Sequence, residues 1–420
     1  MGNKKVLAGQ ERSLPELVLP AGDMEKLKTA LLFGADAVYL GGKEYSLRAF
    51  AGNLTLEEIK LGLELAHGAG KRVYVTANIL AHNRDLKELP GYLEALQLAG
   101  ADGLIIADLG VLRLARIYAP DLPVTVSTQA NTTNYETAAQ YRDLGAKRIV
   151  MARELDLEEI RQIKERVDVE IEVFIHGVMC VSYSGRCLLS HFMTGRSANQ
   201  GACAHPCRYR YYLTEEKRPG QYFPLEEDSR GSYIFNSRDL CLLEMVPRMI
   251  DAGIDAFKVE GRMKSPLYAA TAATVYRQAI DWYLSNRQPY PEDMVQAWRL
   301  ELQSIATRPY TAGFIKGGQQ WLQDPHKEPI AGRADFCGIT TGFDPERKIV
   351  EVEQRANFGP GEQLQFLRPD GSIVDLVVTE LWDVEGLTLD RARHPQQRVF
   401  MAVKDFIPVN SILRRRNLPG

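Results

Sequence analysis

Through roughly its first 270 residues the chain alternates two textures. Short runs rich in β-branched residues are followed by longer stretches with apolar residues at every third or fourth place. The runs Leu17–Pro20, Ala37–Gly41, Arg72–Ala77, Gly103–Ala107, Val124–Thr128, Arg148–Ala152, Ile171–Ile175 and Ala256–Val259 predict eight strands. Stretches such as Asp23–Phe33, Thr55–Ala69 and Leu86–Leu98 predict the helices between them. A second repeat supports the count. Gly34-Ala35-Asp36, Gly100-Ala101-Asp102, Gly145-Ala146-Lys147 and Gly253-Ile254-Asp255 each sit just before a strand, where glycine ends a helix. Strands that are near-continuously apolar and alternate with helices predict an α/β fold, a (β/α)8 TIM-like barrel. A doubly wound open sheet is the competing arrangement. It is disfavoured by the count of strands and by the lack of a glycine-rich phosphate fingerprint after the first of them.

The seventh and eighth strands stand roughly eighty residues apart, far more than one helical crossover requires. The excess, about Gly177 to Gly231, is expected to leave the barrel on its C-terminal face, where active sites of such barrels are built. After Pro266 a helical pattern runs through Ala269–Asn286, Pro289–Pro291 breaks it, and Met294–Ile305 predicts a short further helix. From about Gly332 the texture changes to short β runs: Phe336–Thr341, Ile349–Glu353, Gln363–Leu367, Ile373–Val378 and Val399–Val403. The expected organisation is an N-terminal extension over residues 1–15 and a barrel over 16–293 carrying an insertion at 177–231. A helical segment and linker over 294–331 then lead to a small β-barrel domain over 332–420.

Charge narrows the choice of partner. The chain carries 51 basic and 54 acidic residues, a formal charge of −3, so any nucleic-acid recognition has to be focal. The opening residues hold no apolar signal core, and no apolar run reaches bilayer length. A cytoplasmic protein with no membrane partner and with reduced thiols is expected.

Four of the six cysteines fall in the insertion, spaced Cys180-x6-Cys187-x15-Cys203-x3-Cys207. Four soft thiolates suit zinc or an iron–sulfur cluster. The long first and second intervals, unlike the two short pairs of a zinc knuckle, favour the cluster. Zinc, and cysteines that merely pack, are the remaining readings. Cys241 and Cys337 stand apart in apolar surroundings and read as core residues.

Polar residues at the C-terminal ends of the strands form a second set: Asn78, Asp108, Gln129, Arg153, Glu154, His176, Glu260 and Arg262. Singly, each suits a helix cap or a loop; together they are the expected lining of a barrel mouth. Arg153 and Arg262 could clamp a carboxylate or phosphate. His176 is the candidate proton donor or acceptor, with Glu260 beside it; a hydrogen-bonded structural histidine is the competing reading. Beyond Cys207, Arg208, Tyr209 and Arg210 interleave cations with an aromatic ring, a pattern that suits phosphates and unstacked bases and equally suits a half-buried strand. The chain contains no HExxH helix, no G-x-S-x-G elbow and no GxxxxGK[ST] loop.

The run Glu172-Val-Phe-Ile-His-Gly-Val-Met-Cys180-Val-Ser-Tyr-Ser-Gly-Arg-Cys187-Leu-Leu-Ser190 resembles the family historically labelled peptidase U32. So do Leu19-Pro-Ala-Gly22, Gly34-Ala-Asp-Ala-Val-Tyr-Leu-Gly41, Asn236-Ser-Arg-Asp-Leu240 and Lys258-Val-Glu-Gly-Arg262, and the trailing β-rich region is familiar from its longer members. The resemblance covers about residues 16 to 290. It implies a [4Fe-4S] cluster on Cys180, Cys187, Cys203 and Cys207. It further implies hydroxylation of tRNA at C5 of uridine 34, with prephenate or a related small carboxylate as oxygen source and an electron donor as a further partner. Hydroxylation of ribosomal RNA or of ubiquinone precursors, collagenase-like peptidase activity, and a non-catalytic RNA-binding iron–sulfur protein are the alternatives within the same resemblance.

Overall fold

The computed structural model describes residues 14–46, 52–180, 182–206, 213–214, 222–223, 227–228, 231–232, 238–317 and 333–416. Seven parallel strands follow in order: β1 (Glu16–Pro20), β2 (Ala37–Gly41), β3 (Arg72–Ala77), β4 (Gly103–Ile106), β5 (Val124–Val126), β6 (Ala146–Val150) and β7 (Glu170–Val178). An eighth, Ala256–Val259, pairs with both β7 and β1 and closes the barrel. Between them run α1 (Met24–Leu32), α2 (Leu56–Gly68), α3 (Leu89–Leu98), α4 (Leu109–Tyr118), α5 (Tyr135–Asp143) and α6 (Leu157–Arg166).

Local chemistry fixes the helix starts. Asp23 caps α1, Thr55 and Glu58 form a capping box on α2, and Asp156 and Glu159 form another on α6. The repeated glycines Gly34, Gly100, Gly145 and Gly253 all take the left-handed backbone expected of residues that end a helix. Outward-facing residues such as Leu17, Leu19, Val38, Leu40, Val73, Val75, Ile171 and Val173 pack against the helices as one core.

The barrel interior is unusual. Val18, Ala37, Tyr39, Tyr74, Ile105 and Ala256 form a small apolar layer, while buried charges fill the space beside it. Arg148 Nη1 lies 2.6 Å from Glu16 and 3.2 Å from Glu172, and Lys258 Nζ lies 2.6 Å from the other oxygen of Glu172. The Tyr74 hydroxyl donates to Glu16 at 3.0 Å. Burial alone would push the Glu172 carboxyl up, yet Lys258 and Arg148 together hold it below the usual carboxylate range.

Beyond the barrel rim β7 continues and pairs antiparallel with a short strand, Asp239–Cys241, which in turn pairs with Tyr310–Thr311. Cys241 therefore ends a strand, half-buried against the barrel core as its apolar surroundings led one to expect. Inside the insertion α7 (Leu189–Thr194) is short; α8 (Val246–Asp251), α9 (Pro266–Asn286) and α10 (Glu292–Ser304) complete the helical layer.

The C-terminal region is a six-stranded antiparallel sheet wrapped around its own core of Val350, Val352, Phe358, Phe366, Val399 and Met401. Among the described residues no ladder joins its two edge strands, Ile373–Val377 and Arg398–Ala402. It is tied to the barrel by Arg414, fully buried, whose guanidinium meets Glu301 of α10 at 2.6 Å, and by an ion pair between Arg355 and Glu25. Among the described residues, no helix is long and apolar enough to cross a membrane.

Candidate active site at the barrel mouth

The C-terminal ends of the strands enclose a cavity lined by Tyr39, Thr76, Asn78, Gln129, Arg153, Phe174, Lys258, Glu260 and Arg262 among others. Its free volume is about 40 Å³, room for roughly three ordered waters. Of its charged lining residues, Arg153, Lys258 and Arg262 are cationic and Glu260 is anionic. Arg153 stacks on Phe174, 4.0 Å from the ring centre, and donates to the Val178 carbonyl at 2.6 Å, while its Nε is buried without a hydrogen-bond partner. Arg262 is buried and donates to Ser46 at 2.7 Å and to Thr76 at 3.3 Å. Lys258 reaches the cavity floor with its ammonium 4.2 Å from the centre of the Tyr39 ring. Glu260 accepts from the Tyr39 hydroxyl at 3.2 Å.

Of the residues proposed from sequence, Arg153, Glu260, Arg262, Asn78 and Gln129 share this cavity. Asp108 caps α4 through Gly110 and Val111, and Glu154 is bound by Ser184. His176 lies elsewhere. The β7 ladder to Ala256–Val259 skips a residue at Ile175, so His176 leaves the in–out alternation that carries Glu172 and Phe174 into the lumen. It is enclosed by Tyr268, Tyr276 and Tyr310, with Nδ1 3.2 Å from the Tyr276 hydroxyl and Nε2 3.4 Å from that of Tyr310. Burial, and secondarily Lys264, push its pKa down to about 3, so it stays neutral at physiological pH. This placement suits a structural hydrogen-bonded histidine.

Sequence reading passed over Lys258, Tyr39, Thr76 and Phe174 as site residues, because they sit inside strand-like runs. The available signal was the charge of Lys258 in an otherwise apolar run, answered by Glu172 in another.

The cysteine-bearing insertion lies across this mouth. Leu80 N–H donates to Asn199, Arg186 to the Gln129 carbonyl at 2.8 Å, and Asn131 to the Tyr183 carbonyl at 3.1 Å. The strand that leads to Cys180 is fixed from two sides. Glu260 N–H donates to the His176 carbonyl at 2.9 Å, and Gly177, at φ +110°, lets the Glu260 carbonyl approach to where a Cβ would stand 2.4 Å away. Any side chain there would collide with backbone.

Cys180, Cys187 and Cys203 are free thiols, exposed or half-exposed, on this one segment. The His205 N–H donates to Cys203 Sγ at 3.4 Å. In donor chemistry the set fits a soft-metal cluster. The fourth cysteine, Cys207, and the proposed RNA-binding Arg208, Tyr209 and Arg210 lie outside the described residues. Among the described residues no three His, Cys, Asp or Glu side chains are gathered as a ligand set.

Comparison with known proteins places this architecture. The model of peptidase family U32 matches residues 22–323, and that of the peptidase family U32 C-terminal domain matches residues 332–414. The chain belongs to peptidase family U32. Within that family it is 41% identical over 402 residues to tRNA hydroxylation protein P1 of Bacillus subtilis (strain 168), covering 94% of each chain. It is 33% identical to tRNA hydroxylation protein P of Escherichia coli (strain K12), covering 97% of each. An uncharacterized protease of Methanocaldococcus jannaschii is 40% identical over 375 residues, covering 87% of this chain and 90% of that one. The U32 family therefore carries both labels, and the barrel mouth is where they have to be weighed.

Proposed function

We propose that this chain is a tRNA-modifying hydroxylase that forms 5-hydroxyuridine at position 34. In this reading a [4Fe-4S] cluster is held by Cys180, Cys187, Cys203 and Cys207, and prephenate or a related small carboxylate is the oxygen source. The reading rests on near full-length similarity to tRNA hydroxylation proteins. The observation that carries it is the docking of the cysteine segment over a cavity whose charged lining is mainly cationic.

When bound, such a cluster supplies one-electron chemistry. The chain's own residues bind and orient. Arg153 and Arg262 meet a carbonyl and hydroxyls, so their guanidiniums are placed to receive the carboxylates of a small dianion. Lys258 at the floor is answered by Glu172 and holds the Tyr39 ring, and Glu260, which accepts from the Tyr39 hydroxyl, is the acceptor for a proton leaving the guest. The present free volume admits waters, so guest entry requires the cysteine segment to shift from Gln129 and Asn131.

The peptidase reading has weaker support. The Ser184 hydroxyl donates to Glu154 at 2.5 Å, Ser190 accepts from the Ala204 N–H at 3.0 Å, and His176 is sealed among tyrosines. No nucleophile–base pair is assembled from them. The test is nucleoside mass spectrometry of tRNA from cells lacking this gene. Wild type should restore 5-hydroxyuridine and Cys180→Ser should not; an unchanged nucleoside profile on deletion sinks the reading.

A further inference from the structure

The turn that begins the cysteine segment is held in an unfavourable shape. Ser184 is a non-glycine residue at φ 41°, a conformation that persists only where its surroundings impose it. Its surroundings do. Its N–H donates to one oxygen of Glu154 at 2.6 Å, its hydroxyl donates to the other at 2.5 Å, and the Arg153 N–H donates to that hydroxyl at 3.3 Å. Ser184 itself is buried, so what the turn displays are its neighbours. Tyr183 stands 54% exposed, and Arg186 is exposed with its Nε on the Gln129 carbonyl, directly at the rim of the cavity.

Further cations flank the same segment. Arg196 is exposed and donates to the Ala202 carbonyl at 3.1 Å. Arg84, its side chain 73% exposed, donates to Gln200 and stands 3.6 Å from Asp85. Glu154, an acidic group of this rim, is occupied by Ser184. The segment thus carries an exposed aromatic ring, and three exposed guanidiniums lie on it or are bonded to it.

We propose that this rim is the RNA footprint. Tyr183 stacks on an unstacked nucleobase at the mouth, and Arg186, Arg196 and Arg84 receive the phosphates on either side. The occupant is a single-stranded RNA loop. A ring this exposed offers a face to a base, duplex bases keep theirs stacked, and arginine forks match phosphate oxygens. The proposal rests on the tRNA reading above. It adds the residues that would present the target base, beyond the Arg208, Tyr209 and Arg210 named from sequence.

The test uses the full chain purified without air, a synthetic anticodon stem–loop RNA, and the same sequence annealed as a full duplex. Binding is measured by fluorescence anisotropy across a salt series. Tyr183→Ala should weaken hairpin binding roughly tenfold or more while leaving duplex binding unchanged, and Tyr183→Trp should retain hairpin affinity. Arg186→Ala with Arg84→Ala should weaken both RNAs and flatten the log–log salt slope by about 1 to 2. Thermal melts establish that each variant is folded, and Tyr183→Phe serves as the conservative comparison. Wild-type binding that these variants leave unchanged overturns the footprint and spares the tRNA reading. A wild-type chain with no salt-dependent affinity for the hairpin overturns both.

Discussion

The floor and the mouth of this barrel use the same charged residue types to opposite ends. On the floor each charge meets its opposite: Glu16 with Arg148, Arg148 with Glu172, Glu172 with Lys258. At the mouth Arg153 faces a carbonyl and an aromatic ring, with its Nε buried and unpartnered. The difference teaches where function resides. A buried charge answered by another is part of the scaffold, whereas a cation set among neutral dipoles remains receptive to an anionic guest.

Breaking the floor should have the largest effect. Glu172→Gln leaves Lys258 and Arg148 without a shared counter-charge in a buried site, and should lower unfolding free energy by about 3–5 kcal/mol in urea titrations. A loss below about 1 kcal/mol would show that the floor relaxes or admits water, and the contrast with the mouth would collapse.

His176 sharpens the comparison because it belongs to neither region. In the unfolded chain its imidazole titrates near 6.5, and in the fold near 3. Between those values the unfolded state holds the extra proton. The contribution is fully present above pH 6.5 and is lost as pH falls toward 3, by about 1.4 kcal/mol per unit once well below 6.5. Denaturant titrations from pH 7.5 to 4.5 should show this slope in wild type and a shallower one in His176→Asn. Equal slopes would mean that the imidazole is not sealed as described.

The mouth should respond in function and hardly in stability. Arg153→Met keeps an apolar stem over Phe174 and should change stability by less than about 1 kcal/mol, while hydroxylation falls about tenfold or more. A variant that is destabilised but fully active once folded would move Arg153 to the scaffold.

Much of this division was legible in the chain itself. The strands of the barrel announce themselves because each is a β-branched run, and four of them follow a helix-ending glycine. The placement of Arg153, Glu260 and Arg262 together follows from their common position at strand ends, and the position of the cysteines above the mouth follows from the side on which a late insertion must leave. That His176 stands outside the cavity was not legible, because alternation along one strand says nothing about a skipped residue in the ladder to its neighbour. The strand Asp239–Cys241 was not foreseen, because the leucines beside Cys241 suit either period. It forms only because β7 outruns the barrel and offers an edge. Lys258 was passed over because a charge in an apolar run becomes meaningful only when Glu172, 86 residues earlier, is brought beside it.

The most direct test of the account measures 5-hydroxyuridine in tRNA from deletion cells carrying wild type, Arg153→Met at the mouth, or Arg161→Met on the outer surface of α6. The account predicts full 5-hydroxyuridine with wild type and Arg161→Met, and a loss of about tenfold with Arg153→Met at equal protein abundance. Equal nucleoside content in all three would contradict the claim that chemistry takes place at the barrel mouth.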